Sequence, residues 1–310
     1  MFFKKVKIYF LAARPVFLTA SAAPVLVGSA LGFTASGEFD WLLFALALFS
    51  IMLFHCGANV ANDYFDHKSG NDWLNKNPTP FSGGRRFIQD GTLSPKQTLN
   101  LSLFYLALGA AAGLVIVLIT GSLFILILGL SGLVGGFFYT APPLKLDYRS
   151  IGEVVIAFLF GILPVTGAYF LQTGRIDFVI LPPALIVALL IFLVILINEF
   201  PDRAADAKVG KKTLVVTLHM AGAVRVYRAG LIVSYLTACA SIFIYRQFFY
   251  AGLFYLFTAP LAVAAIRYAN KKELSLPGKV TANRLTILLH TLGCLALTAG
   301  FIFDGFKTYQ

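Results

Sequence analysis

Nine apolar stretches dominate this chain, each close to the roughly 20 residues a helix needs to cross a hydrocarbon core. They are Val16–Phe33, Trp41–Asp63, Thr98–Ile119, Ser122–Tyr139, Ile151–Leu171, Phe178–Phe200, Val224–Tyr245, Phe248–Ile266 and Leu285–Phe303. Only 13% of the residues are charged, against about 25% in soluble domains. The runs are continuous rather than alternating, so they predict helices and not barrel strands. The expected fold is all-α: a polytopic membrane protein of nine transmembrane helices with no separate soluble domain.

The basic residues set the expected orientation. Of the 25 Lys and Arg, all but Arg175, Arg246 and Lys307 fall at the N-terminus or after the second, fourth, sixth and eighth spans. The positive-inside rule places that side in the cytoplasm, with the chain in a cell inner or plasma membrane. The net charge of +11 is explained by this topology and by anionic lipid, so it argues for membrane lipid and not nucleic acid as a partner. Lys4, Lys5 and Lys7 followed by Arg14-Pro15 predict an interfacial amphipathic lead-in to the first span.

Two similar acidic motifs end two of the spans. Asn62-Asp63-Tyr64-Phe65-Asp66 closes the second, and Asn198-Glu199-Phe200-Pro201-Asp202 closes the sixth. The chain has 14 acidic residues, and seven of them (Asp63, Asp66, Asp72, Asp90, Glu199, Asp202 and Asp206) lie in or beside these motifs. Carboxylates at the mouth of a membrane segment are costly and mark function. The repeated placement suggests a single domain of two four-helix halves, about 1–150 and 151–270, plus a ninth helix at about 285–303. Such halves would be parallel repeats that each contribute one acidic cluster to a shared site.

Helical spacing puts Asn59, Asp63 and Asp66 on one face, with Asn62 and Asp66 similarly related. Gly70 can turn Asp72 back toward them. Pro201 is expected to break the sixth span, exposing Asp202 and Asp206 to a polar cavity. Mg²⁺ prefers oxygen ligands and commonly takes one or two carboxylates plus substrate phosphates. Two facing clusters therefore suggest Mg²⁺ and a diphosphate, with Asp63, Asp66, Asp202, Asp206 and Asn62 as metal candidates. Helix capping or pairing with loop cations is the alternative use of such carboxylates.

Among the cations, Lys68, Arg85, Arg86, Lys145, Arg149, Lys211 and Lys212 can serve phosphate oxygens or act as topology signals. Lys145 follows Tyr139-Thr140-Ala141-Pro142-Pro143, a turn stiff enough to place it. Tyr139 can offer its ring face to a developing cation or belong to an interfacial aromatic belt. His67 adjoins the first motif and is a candidate acid or base. Cys56, Cys239 and Cys294 all fall in apolar spans and read as core residues. There is no P-loop, nucleophile elbow, haem-ligand pair or HExxH.

Over nearly its whole length the chain resembles the UbiA superfamily of intramembrane prenyltransferases. The resemblance rests on the span layout, Asn62-Asp63-x-x-Asp66, Asp202-x-x-x-Asp206, Tyr139-Thr140-Ala141-Pro142-Pro143-Leu144-Lys145, and Gly210-Lys211-Lys212-Thr213-Leu214. It implies a nine-helix bundle that uses Mg²⁺ to ionise an isoprenyl diphosphate and transfers the prenyl group to an acceptor. It implies catalytic roles for Asp63, Asp66, Asp202, Asp206, Tyr139 and Lys145. Substrate binding would fall to Asn59, Asn62, Lys68, Arg86, Asn198 and Lys211. Gly70 followed by Asp72 looks more like the menaquinone branch, whose aromatic quinone precursor is 1,4-dihydroxy-2-naphthoate, than like the hydroxybenzoate branch. Glu199 and Pro201 are less typical of the menaquinone branch. A hydroxybenzoate, a glycerol lipid or haem stays open as acceptor. A cation-coupled transporter is the rival class, although transporters place their sites near the midplane.

Overall fold

The computed structural model describes residues 2–309, and these are helical throughout apart from turns and one isolated bridge. In chain order the α-helices are α1 (Phe2–Ala12), α2 (Thr19–Ser36), α3 (Trp41–Ser69), α4 (Asn71–Leu74), α5 (Pro95–Thr120), α6 (Leu123–Phe138), α7 (Gly152–Ala157) and α8 (Leu163–Thr173). They continue with α9 (Leu181–Asn198), α10 (Arg203–Val209), α11 (Leu214–Thr217), α12 (His219–Ile244), α13 (Phe249–Leu256), α14 (Ala259–Tyr268), α15 (Lys271–Leu274) and α16 (Thr281–Tyr309).

Seven helices among the described residues are long and apolar enough to cross a membrane, and eight if a bent pair counts as one span. That pair is Arg246–Leu256 with Ala259–Tyr268, bent by 49°. The expected span Phe248–Ile266 is therefore two helices, the second with a proline in its first turn. At 16 residues α6 covers roughly 24 Å at 1.5 Å per residue, less than a hydrocarbon core of about 30 Å. The all-helical membrane fold holds, but the expected count of nine full spans is not established.

Local chemistry fixes the helix ends. Asp40 accepts from Leu43 N at 2.8 Å to start α3, and Ser94 and Gln97 form a reciprocal capping box at α5. Gly70 stops α3 with φ of 81°, a left-handed conformation that glycine adopts without steric cost. A five-residue π-helical segment, Phe158–Ile162, joins α7 to α8.

Inside a bilayer the helices have no hydrophobic drive toward one another, so close backbone approach supplies much of the attraction. A Cβ on Gly28 of α2 would lie 2.2 Å from the carbonyl oxygen of Val165 on α8. One on Gly300 of α16 would lie 2.2 Å from Ala251 Cα on α13. Most of α9 is buried, which makes it the central post of the bundle. Cys56 and Cys294 are buried and Cys239 is half-buried, all as free thiols.

Candidate active site

The first motif stays helical to its end, because α3 runs on past Asp63 and Asp66 to Ser69. The second does not. α9 ends at Asn198, the chain turns through Glu199–Asp202, and α10 restarts at Arg203. Pro201 sits in that break, where its lack of an N–H would interrupt a continuous helix. The break lets Asp202 and Asp206 approach the end of α3 instead of continuing the axis of α9.

The two motifs are stitched together by the segment after α3. Asn71 Nδ2 donates to Asp206 Oδ1 at 3.0 Å, and Asn75 Nδ2 donates to Asp202 Oδ1 at 2.7 Å. The Gly83 N–H donates to Asp202 Oδ2 at 3.0 Å. Gly84 lies against Asp63, Arg14 and Asp72 so closely that a Cβ there would be 2.9 Å from Asp63 Oδ1. The segment thus lies across the site as a cover.

Beneath it is a cavity of about 190 Å³ lined by Asn59, Asn62, Asp66, Asp72, Tyr139, Asn198, Asp202, Asp206 and Lys211, with Arg14 and Asp147. A second cavity of about 320 Å³, almost wholly apolar, lies between α3, α5, α6 and α8. His55, Ala58, Gly136 and Phe160 line both, so the polar chamber opens into the apolar groove at that neck.

Cations sit on the carboxylates. Lys211 Nζ lies 2.6 Å from Asp66 Oδ1 and 3.1 Å from Asp147 Oδ2. Arg14 forms an ion pair with Asp63 and donates to Asn62 Oδ1 at 3.2 Å. Burial pushes the carboxyl pKa of Asp72 up to about 8, with Asp66 and Asp63 adding to the effect. Burial likewise raises Asp206 to about 7 and Asp202 to about 6. Burial opposes the charge on Lys211, but Asp66, Asp147 and Asp206 outweigh it and raise its pKa.

Of the residues singled out from the sequence, Asn59, Asn62, Asp66, Tyr139, Asn198, Asp202, Asp206 and Lys211 come together around the chamber. Asp63 is buried behind Arg14. Asn198 Oδ1 accepts from Asn283 Nδ2 of α16 at 2.8 Å, which ties the last helix to the site. Three cations fall elsewhere. Lys68 and Lys145 line a separate pocket beyond Asp66 and Tyr148, where Lys145 Nζ lies 4.9 Å from the centre of the Tyr148 ring. Arg86 donates to the carbonyls of Asp72 and Asn75 and so holds the cover. His67 does not line the chamber; its ring lies 6.0 Å from that of Trp73.

Sequence reasoning gave no role to Arg14, His55, Asn71, Asn75, Asp147 or Glu153. Arg14, His55 and Glu153 carried a signal, since an ionisable residue at or inside an apolar run is rarely idle. Asn71 and Asn75 carried none, because only the path of the cover brings them to Asp206 and Asp202.

Among the described residues, no three His, Cys, Asp or Glu side chains converge into a metal cage. The donor chemistry still fits a hard divalent cation. Asp66 and Asp147 already hold a positive ammonium between two carboxylates, and Mg²⁺ needs only one or two carboxylates when phosphates and waters complete its shell. A membrane-embedded helical bundle with a carboxylate-lined chamber opening into an apolar groove defines an intramembrane enzyme.

A family model described as the UbiA prenyltransferase family matches residues 21–279. The 1,4-dihydroxy-2-naphthoate octaprenyltransferase of Haemophilus influenzae is 34% identical over 221 residues, covering 69% of this chain and 70% of that protein. The Bacillus subtilis protein of the same name is 28% identical over 301 residues, covering 95% and 92%. A solved structure described as a UbiA homolog from Archaeoglobus fulgidus bound to GPP and Mg²⁺ superposes with a TM-score of 0.67. It shares 18% identity and covers 96% of this chain and 98% of that one. The chain belongs to the UbiA prenyltransferase family: it is an integral membrane prenyltransferase and not a transporter.

Proposed function

We propose that the protein transfers a polyprenyl group from an isoprenyl diphosphate to 1,4-dihydroxy-2-naphthoate, with Mg²⁺, in menaquinone biosynthesis. The observation that carries this is the neck at His55, Ala58, Gly136 and Phe160, where an acidic, cation-holding chamber meets an apolar groove. An allylic diphosphate has that same division into a charged head and an apolar tail. Naphthoate as the acceptor is supported by the names of relatives that cover most of the chain. Following the distribution of basic residues, we place the chamber and the N-terminus on the cytoplasmic side.

In this reading Asp63, Asp66, Asp202 and Asp206, with Asn62, hold the metal. Mg²⁺, when bound, would neutralise the diphosphate oxygens and make the diphosphate a better leaving group. Lys211 and Arg14 leave their carboxylates for phosphate oxygens, as charge-assisted donors do. Asn59 and Asn198 line the chamber and help shape the diphosphate site. Tyr139 presents its ring to the allylic cation. The cover from Asn71 to Arg85 excludes water that would quench that cation. Lys68 and Lys145 lie outside the chamber and take no direct part here, and Arg86 acts by holding the cover.

The test is turnover by the purified protein in detergent with Mg²⁺, geranylgeranyl diphosphate and 1,4-dihydroxy-2-naphthoate, with prenylated product scored by mass. Product that vanishes with EDTA is expected. Release of diphosphate without naphthoate product, together with product from hydroxybenzoate, would overturn the acceptor.

A further inference from the structure

Of the four residues that form the neck between chamber and groove, His55 alone has a polar side chain. It projects from α3, where it is 7% exposed, and its ring stands edge-to-face with Phe160 at a centroid distance of 4.8 Å. Ser21 Oγ of α2 lies 2.6 Å from His55 Nδ1. Ser21 is fully buried, and among the described residues its hydroxyl has no other partner. A proton on Nδ1 would leave the Ser21 hydroxyl hydrogen without an acceptor, and a buried unsatisfied donor is costly. Ser21 therefore donates to Nδ1, and the ring proton sits on Nε2. The ring is neutral, because its partner is an uncharged hydroxyl and the charged group acting on it, Arg14, is itself a cation. Among the described residues Nε2 has no partner, so the neck carries one free N–H donor.

We propose that His55, held by Ser21, binds the aromatic acceptor by donating its Nε2–H to the ring oxygen next to the carbon that is prenylated. This rests on the hydroxylated aromatic acceptor proposed above. His55 precedes Asn62 by seven residues on one helix, which is about 10 Å along its axis toward the groove. The diphosphate oxygens belong at the level of the carboxylates, so the part of the donor at the neck is the allylic carbon and the start of the tail. The attacking ring carbon approaches that allylic carbon from the side away from the departing oxygen, which brings it to His55. The oxygen on the neighbouring ring carbon is then the one that the free donor meets. A neutral donor suits this place, since a cation at the neck would repel the developing allylic cation. The bond also strengthens as the acceptor oxygen gains negative charge.

His55→Gln and His55→Asn separate the two ring nitrogens, because the glutamine amide reaches the place of Nε2 and the asparagine amide only that of Nδ1. Native protein and variants are assayed in detergent with Mg²⁺, geranylgeranyl diphosphate and 1,4-dihydroxy-2-naphthoate. His55→Asn and His55→Leu are expected to raise the KM for the naphthoate at least about 5-fold, with the Kd for geranylgeranyl diphosphate and Mg²⁺ within about twofold of native. His55→Gln should return that KM most of the way to the native value. A purely structural role would weaken both substrates together and would not separate glutamine from asparagine. A native KM in His55→Leu, a diphosphate Kd that weakens in step with KM, or equal KM values in His55→Gln and His55→Asn would overturn the assignment. If the native protein prenylates hydroxybenzoate and not the naphthoate, the naphthoate reading fails alone, and the same KM ratios measured with hydroxybenzoate decide the role of His55. Prenylation of neither phenol overturns both.

Discussion

Lys211 Nζ lies 2.6 Å from Asp66 Oδ1, so a lysine from the loop after the second motif neutralises a carboxylate of the first. Both side chains are nearly buried, at 7% and 12% exposure. The same ammonium reaches Asp147, which joins the α6–α7 loop to the two motifs. With Asn71 on Asp206 and Asn75 on Asp202, every element of the chamber mouth is held by a partner from another part of the chain.

Removing that cation should destabilise the protein. Lys211→Met leaves Asp66 and Asp147 buried without their counter-charge, and breaking a buried pair from one side costs about 3–5 kcal/mol. Thermal unfolding in detergent should show a lower midpoint, and added Mg²⁺ should recover part of the loss. An unchanged midpoint would mean that water already screens the pair.

The motif carboxylates are expected to matter for turnover and not for folding. Asp202→Asn keeps the size of the side chain and one of the two acceptor oxygens that Asn75 and Gly83 use separately but removes the charge. Turnover should fall about 100-fold or more, the scale for loss of one preorganised electrostatic group, with an unchanged size-exclusion profile. Asp66→Asn should behave likewise in turnover. Full activity in both would remove these carboxylates from the mechanism.

Without metal, stability should fall as pH rises. Burial raises Asp202, Asp206 and Asp72 to about 6, 7 and 8, above the unfolded value of about 3.9. A carboxyl with a raised folded pKa favours the folded state most where it is protonated. That contribution is complete below the unfolded pKa and is lost as pH rises through the folded values. In EDTA the melting midpoint should therefore drop between about pH 4 and 8. Mg²⁺ affinity should move the other way, rising over about pH 6 to 8, because binding displaces protons. Isothermal titration in two buffers of different ionisation enthalpy would count the protons released.

The neck should set which prenyl chains are accepted. A Cβ on Gly136 would lie 3.7 Å from Ala58 Cβ, so one methyl group already fills the gap. Gly136→Leu should close the passage. Geranylgeranyl diphosphate would then lose about 10-fold or more in kcat/KM, the upper scale for reshaping an apolar pocket by a few methylenes. Dimethylallyl diphosphate, whose tail stays in the chamber, should be affected much less. Equal losses for both donors would place the tail elsewhere.

Much of this protein was determined by the sequence itself. Apolar runs of spanning length with few charges mark membrane helices, and the spacing of Asn59, Asn62, Asp63 and Asp66 placed them on one helix because local hydrogen bonding holds α3 intact through Ser69. Pro201 announced the break after α9. The tertiary structure decided what depends on distant partners. It put Arg14 on Asp63 and Lys211 on Asp66, and it left Lys145 and Lys68 outside the chamber although they lie close to the motifs in sequence. It also bent the expected eighth span into two helices. A buried charge must find a partner wherever the fold supplies one, and sequence spacing reports only partners within a few turns of the same helix.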